Sequence, residues 1–393
     1  MTLTTLWIEQ RNQLEGKHVW QIISFAGDGR LRDGNTTSTE FREFLSHVSS
    51  SQLKQFLDEC LSNKFDDNGF VLQDIVNQIG NRLGFIVING RYRGTAGQSG
   101  LDGLWEFPDG YKVIVEVKTT DAYQINLDTI AKYRREIITE GKATEENSSI
   151  LIVIGREDRD TSDLEAQIRG SRYAWNIRLL SVDALVRLMK LKEEVEDPKI
   201  IQRISAILIP REFTKLDEII NLVFTTAEDL KEEKPIEQEE GTIIEQDDEV
   251  KSKPVSFYEA CIDRIEKHLH QPLIKRSRTT YSSSDGSLRV TCAVSKLYKK
   301  GDQIQYWFAF HPHQKDFLEG VKTGYVAFGC GTESTLLLIP SNEFISWLDG
   351  MHVTDDANRF YWHVNILKDE KNLVLYRKKG IPRKNLNHFL VSI

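Results

Sequence analysis

The sequence predicts an α/β domain of αβββαβ order, preceded by a helical extension and followed by a separate strand-rich α+β domain. Three observations lead there. Between residues 69 and 190 the hydrophobic pattern alternates between helical and strand periods. Residues 112–118, KVIVEVK, form an apolar strand that carries a Glu and a Lys near its end. Residues 226–251 hold eleven Asp or Glu against three Lys, with a Pro and no aromatic residue, the composition of a flexible linker between domains.

Residues 1–68 read as a mostly helical extension broken by the loop FAGDGRLRDGNTTS, whose Gly, Asp and Asn content disfavours regular structure. Ser38 or Thr39 is a suitable N-cap for the helix that follows, and SQLKQFLDECL adds another. The core begins at about Gly69. Val71, Leu72, Ile75, Val76, Ile79 and Leu83 fall at helical spacing, Gly84 stops that helix, and residues 85–94 (FIVINGRYRG) form a strand. A helix over 125–139, a continuous apolar strand SSILIVIG, a helix in SDLEAQIRGSRYAW, the strand NIRLLSV and a helix capped by Ser181 complete the domain. Two further helices, over 199–209 and 215–224, close it or form a dimer contact. Beyond the linker at 226–254, an amphipathic helix over 256–270 precedes six strand-like runs interrupted by the helical SNEFISWLDG, giving an α+β domain over 255–393.

Chemistry concentrates in residues 100–118. Alternation puts Glu116 and Lys118 on one face of the strand and Val115 and Val117 on the other. Charges inside a Val/Ile strand call for a partner or a metal, because burying them alone is costly. Asp102 would end the strand before it, and the turn Phe107-Pro108-Asp109-Gly110 would fold the two into a hairpin, bringing the carboxylates of Asp102 and Glu116 together. Two adjacent carboxylates repel unless a cation lies between them, and an all-oxygen site suits Mg²⁺. Lys118 is then placed to orient an attacking water and offset phosphate charge.

Asp102 with Glu116-Val117-Lys118 resembles the motif of the PD-(D/E)XK nuclease superfamily, which has the restriction-endonuclease-like fold. Leu101 stands where the eponymous proline would be. The resemblance covers residues 69–190 and implies a metal held by Asp102, Glu116 and the Val117 carbonyl, with Lys118 positioning the water. Many members also carry a Glu on the first helix facing the metal. Here that position is Gln73, whose amide would hold a metal-bound water, with Asp74 beside it. On the helix after the motif, Gln124, Asp128, Lys132 and Tyr133 are polar, but their spacing departs from the Gln-xxx-Tyr pattern of one branch, and no catalytic role is assigned there.

The net charge of −8 looks adverse for a DNA-binding protein until it is divided. The linker supplies about −8, residues 1–225 about −6 and residues 252–393 about +6, so the C-terminal domain is the part favoured electrostatically to meet nucleic acid. Arg91 and Arg93 on the first strand, and Arg169 and Arg172 sharing a helix face, are candidate phosphate contacts, as are Lys275, Arg276 and Arg278 in one basic loop and Arg377, Lys378 and Lys379 in another. Ordinary surface ion pairs are the competing reading for the arginines. His311, His313, His363 and Cys330 are a weak metal set, and Trp307, Phe308, Phe310, Tyr361 and Trp362 read as core. The four scattered cysteines fit buried thiols in the cytoplasm, and neither a signal peptide nor a membrane span is expected.

These readings converge on a Mg²⁺-dependent DNA endonuclease of restriction or defence type, with Mn²⁺ as a substitute and the C-terminal domain selecting the target. Cutting both strands makes a homodimer the default expectation. The alternative is a low-specificity effector nuclease licensed by a small molecule or protein sensed by the C-terminal domain.

Overall fold

The computed structural model describes residues 1–93, 100–118, 125–155, 162–195, 199–210, 242–243, 254–300, 303–332, 334–356, 359–369 and 372–391. The chain is mixed α/β and divides into two compact units, Met1–Leu230 and Lys231–Ile393. Among the described residues no helix is long and apolar enough to cross a membrane.

The N-terminal unit runs α1 (Leu3–Glu9), α2 (Val19–Ile23), α3 (Thr36–His47), α4 (Ser50–Ser62), α5 (Asn68–Leu83), β1 (Ile86–Asn89), β2 (Gly103–Glu106), β3 (Lys112–Lys118), α6 (Leu127–Thr139), β4 (Ser148–Ile154), α7 (Ser162–Arg169), β5 (Ile177–Ser181), α8 (Val182–Glu194) and α9 (Ile200–Leu208). The sheet order is β1-β2-β3-β4-β5. The first three strands are antiparallel, while β4 and β5 continue in parallel with β3. Parallel neighbours need a crossover, and helices α6 and α7 lie in those connections.

Each face of the sheet has its own core. Val113 and Val115 pack with α1–α5, α8 and α9, whereas Ile114 packs with Ile130 and Ala131 of α6 and Leu164 and Ile168 of α7. All seven residues of β4 are buried, as a central parallel strand covered on both faces requires. The helices of residues 1–62 contribute Trp7, Phe41, Phe44 and Phe56 to the same core as α5, so this segment is integral to the unit. At its centre Trp105 is fully buried against Gly80, where a Cβ would come within 2.6 Å of the indole.

Several boundaries differ from the sequence expectation. The cap of α3 is Asn35, whose side chain accepts from Ser38 N, so Ser38 and Thr39 lie inside the helix. The first strand stops at Asn89, because Gly90 runs against the Leu101–Asp102 main chain too closely to admit a Cβ. Arg91 and Arg93 therefore follow the strand rather than ride on it. Helix α7 ends at Arg169, and Arg172 lies in the turn after Gly170, so these two arginines do not share a helix face. Gly84, at φ 96°, and Ser181, accepting from Ala184 N, act as the predicted stop and cap. The helix predicted over 215–224 lies outside the described residues, as does the linker predicted over 226–254 apart from strand β6 (Thr242–Ile243) and Pro254.

The C-terminal unit opens with α10 (Pro254–Leu269) and continues through β7 (Ile274–Lys275), β8 (Thr280–Ser282), β9 (Leu288–Ser295), β10 (Tyr298–Lys300), β11 (Gln303–Phe310), α11 (Pro312–Leu318), β12 (Thr323–Cys330), β13 (Leu336–Pro340), α12 (Ser341–Ile345), β14 (His352–Asp356), β15 (Arg359–Asp369), β16 (Asn372–Tyr376) and β17 (Lys384–Asn385). One sheet has the order β17-β16-β15-β11-β10-β6, with β14 also paired to β15; the other has the order β13-β12-β9-β8-β7. Strands β9 and β12 are parallel. Tyr306, Phe308, Phe310, Val364 and Ile366 point into a core shared with Phe328, Phe344 and Trp347.

Candidate active site

The turn at Phe107–Tyr111 closes the β2–β3 hairpin through Phe107 N to Tyr111 O (2.8 Å) and Gly110 N to Phe107 O (2.9 Å). Its register pairs Gly103 with Val115 and Leu104 with Ile114. One residue further, Asp102 meets Glu116 across the hairpin, on the α6 face of the sheet. Asp102 thus stands before the first residue of its strand rather than at its end, and the two carboxylates are still brought together.

Their surroundings separate the roles. Asp102 Oδ2 accepts the Val117 N–H at 2.7 Å. Glu116 Oε1 accepts from Lys118 Nζ at 2.5 Å. Glu116 Oε2 is buried and has no hydrogen-bond partner among the described residues, an arrangement costly for a carboxylate unless a cation completes it. Burial, and then the Glu116 charge, push Asp102 up from the ordinary 3.8 to about 7, against the Val117 amide and Lys118. For Lys118, burial opposes the charged amine, but Glu116 and Asp102 outweigh it and raise its pKa. The donor set of two carboxylate oxygens in a half-buried, acidic recess fits a hard divalent cation. Among the described residues no group of three or more His, Cys, Asp or Glu side chains converges. Val117 meets Asp102 through its N–H.

Gln73 is engaged on the main chain of Asp102. It is buried, and its Nε2 donates to the Asp102 carbonyl at 3.0 Å. Asn77, one turn further along α5, donates to the same oxygen at 2.8 Å, and Gly90 N does so at 3.0 Å. Three donors on one carbonyl fix the main chain from which the Asp102 side chain projects. Asn77 also accepts from Trp105 Nε1 at 2.9 Å. Sequence reasoning passed over Asn77, though an Asn inside an apolar helical heptad is itself a signal of a buried polar contact. Asp74, next to Gln73, points elsewhere: it accepts from Arg42 Nε at 2.9 Å and from the Tyr92 hydroxyl. Burial pushes it up to about 6, against the Arg42 charge.

Tyr133, on α6, faces this recess. Burial raises its phenol, and the charges of Glu116 and Asp102 raise it further. No fixed sequence spacing announced it. Helix α6 lies over the sheet face that carries the carboxylates, and only packing brings the two together. Gln124 lies outside the described residues. Asp128 sits away from the carboxylates, accepting from Arg172 at 2.8 Å and from Tyr173 OH at 2.7 Å, and Lys132 pairs with Glu136 at 3.6 Å.

The candidate phosphate contacts vary. Arg91 and Arg93 are exposed, and the Arg93 N–H is held by Asp33 at 3.4 Å. Arg169 pairs with Glu165 at 3.3 Å and Arg172 with Asp128 at 2.8 Å, the ordinary surface ion pairs weighed against a DNA role. Lys275 lies in β7, and Arg276 turns inward, donating to Ser282 Oγ at 2.8 Å. Arg278 is half-buried in the β7–β8 turn. Arg377 and Lys378 donate to the carbonyls of Pro382 (2.6 Å) and Asp349 (3.4 Å), and Lys379 is exposed.

In the C-terminal unit Cys261, Cys292 and Cys330 are buried. Alternation divides the aromatic set that the sequence assigned to the core. Phe308 and Phe310 point inward; Trp307 and Tyr361 lie on the opposite face of the sheet with His363, where Tyr361 is still buried, as expected, and Trp307 is half-buried. The division follows from the two-residue period of neighbouring strands. No protein-family model matches the chain, and no curated protein matches it.

Proposed function

We propose that this chain is a Mg²⁺-dependent endodeoxyribonuclease with a restriction-endonuclease-like PD-(D/E)XK core, its C-terminal unit selecting the DNA target. The observation that carries the reading is the meeting of Asp102 and Glu116 across one hairpin, with Lys118 on the same face and a buried Glu116 oxygen that has no partner among the described residues. Chance pairs of acidic residues on a sheet face are solvated. This one is buried enough to hold Asp102 near neutrality, a perturbation typical of functional sites. The strand order, with an antiparallel hairpin feeding two parallel strands, supports the same fold.

Asp102 and Glu116 would hold the cation, which supplies Lewis-acid charge to a phosphate and acidifies water when bound. Lys118, tied to Glu116, keeps a cationic amine at the recess, where it orients the attacking water and offsets charge developing on the phosphate oxygens. Gln73 and Asn77 hold the Asp102 main chain so that its carboxylate keeps one position. The test is incubation of the purified protein with methylated and unmethylated plasmid, in Mg²⁺ or in EDTA, beside Asp102→Ala and Lys118→Ala. Discrete Mg²⁺-dependent bands lost in both variants support a target-selecting endonuclease. A smear lost in both variants points instead to the low-specificity effector. Cutting by either variant at the wild-type rate overturns the site.

A further inference from the structure

The outer face of the larger C-terminal sheet carries rings where solvated strands ordinarily carry aliphatic or charged side chains. Trp307 of β11, Tyr361 and His363 of β15, and His352 of β14 share the face opposite the Phe308–Val364 core; Tyr361 is buried there, Trp307 and His363 are half-buried and His352 is exposed. The Trp307 and Tyr361 rings lie 6.1 Å apart, Tyr361 and His363 5.0 Å, and Trp307 and His363 5.8 Å. At the end of β16 Tyr376, 37 % exposed, stacks on His352 at 6.2 Å with 11° between planes.

The arrangement is locked by hydrogen bonds. Trp307 Nε1 donates to His363 Nδ1 at 3.0 Å, which requires that nitrogen to be unprotonated. His363 Nε2 then carries the proton and faces Thr354 Oγ1 at 2.8 Å. With both nitrogens committed, the imidazole stays neutral and fixes the indole beside it.

The edge next to these rings is cationic. The Arg383 guanidinium lies 5.7 Å from the Tyr376 ring centre. Lys378 N bonds to Gly350 O, which brings the turn of Arg377, Lys378 and Lys379 beside the start of β14. Among the described residues Arg377 and Lys378 bond carbonyl oxygens rather than carboxylates. Lys384 alone of this group pairs with a carboxylate, Glu343, among the described residues.

We infer that this face binds single-stranded DNA or an unpaired segment of a duplex, with bases stacked on Trp307 and Tyr376 and phosphates at Arg377, Lys378 and Arg383. Fixed rings with a cationic rim are the two requirements of single-strand binding, since every base offers a π-face and every phosphate a charge. A paired duplex keeps its bases stacked on one another and would engage only the rim. The inference extends the reading of this unit as the target selector, and the assay is arranged so that the two fail separately.

Binding is measured by fluorescence anisotropy on the full-length Lys118→Ala protein in EDTA, with a labelled single-stranded oligonucleotide and the matching duplex. The expected result is tighter binding of the single strand. Trp307→Ala and Tyr376→Ala should each weaken it about 5- to 100-fold, while Trp307→Phe stays close to the parent protein. Tyr376 is partly exposed at the end of β16, so its variant reports even if Trp307→Ala unfolds the sheet, which circular dichroism would show. Equal affinity of Tyr376→Ala and the parent, or tighter binding of the duplex, overturns the inference. So does the absence of binding to either nucleic acid, which would leave a protein partner for this face. Plasmid cleavage by the unmodified protein tests the nuclease reading independently of all these outcomes.

Discussion

Asp102 is the residue whose protonation governs the candidate site. Burial and Glu116 raise it from 3.8 to about 7, so in the metal-free protein it is largely neutral at pH 6 and ionised at pH 8. A carboxyl raised by folding favours the folded state while protonated. That contribution is present below the unfolded value near 4 and is lost as pH rises through 7. A cation requires the ionised form, so its binding displaces the proton. The apparent affinity for Mg²⁺ or Mn²⁺ should therefore rise by up to about tenfold per unit between about pH 5 and 7 and level off above it. Calorimetric titration across that range measures this, and Asp102→Asn should abolish the heat of binding. An affinity independent of pH would contradict the assignment of Asp102 as ligand.

At the scale of elements, the hairpin and α5 form one device. The Asp102 carbonyl takes three N–H groups, two of them from side chains one turn apart on α5. Asn77→Leu should destabilise the protein by about 1–3 kcal/mol, because it leaves Trp105 Nε1 buried without an acceptor. Gly103→Ala should cost a similar amount, about 1–3 kcal/mol, since its Cβ would fall 2.2 Å from Asn77 Oδ1. Denaturant midpoints measure both. If the hairpin is the positioning device for Asp102, each variant should also lose cleavage beyond what the fraction unfolded explains. Full specific activity in the folded fraction would mean that these contacts serve stability alone.

For the molecule as a whole, charge is partitioned along the chain. Residues 1–225 are net acidic and residues 252–393 net basic, so the C-terminal unit should supply most of the salt-dependent affinity for nucleic acid. Replacing Arg377, Lys378 and Lys379 together by Gln should lower the slope of log affinity against log salt by up to about 2–3. Replacing Arg169 and Arg172, which are already paired with Glu165 and Asp128, should leave it nearly unchanged. Titrations between about 50 and 200 mM salt distinguish the two sets. The opposite ranking would place the main phosphate contacts on the N-terminal unit.

Local chemistry was legible in the sequence. The two-residue alternation of KVIVEVK fixed which side chains share a face, the Pro-Asp-Gly turn fixed the hairpin, and Gly84 and Ser181 marked helix ends. These features depend on a few consecutive residues, and their physics is complete within that span. What required three dimensions was everything that joins residues distant in the chain. Gln73 and Asn77 bind a carbonyl 25 or more positions away, and Tyr133 comes near the carboxylates because α6 covers their face. Arg91 leaves its strand because Gly90 runs against Leu101. Trp307, hydrophobic enough to pass for core, ends half-buried on the opposite face because register and pleat assign sides, while composition does not. Periodicity is a property of backbone geometry and can be read from a line of letters; which surfaces meet depends on how the elements pack.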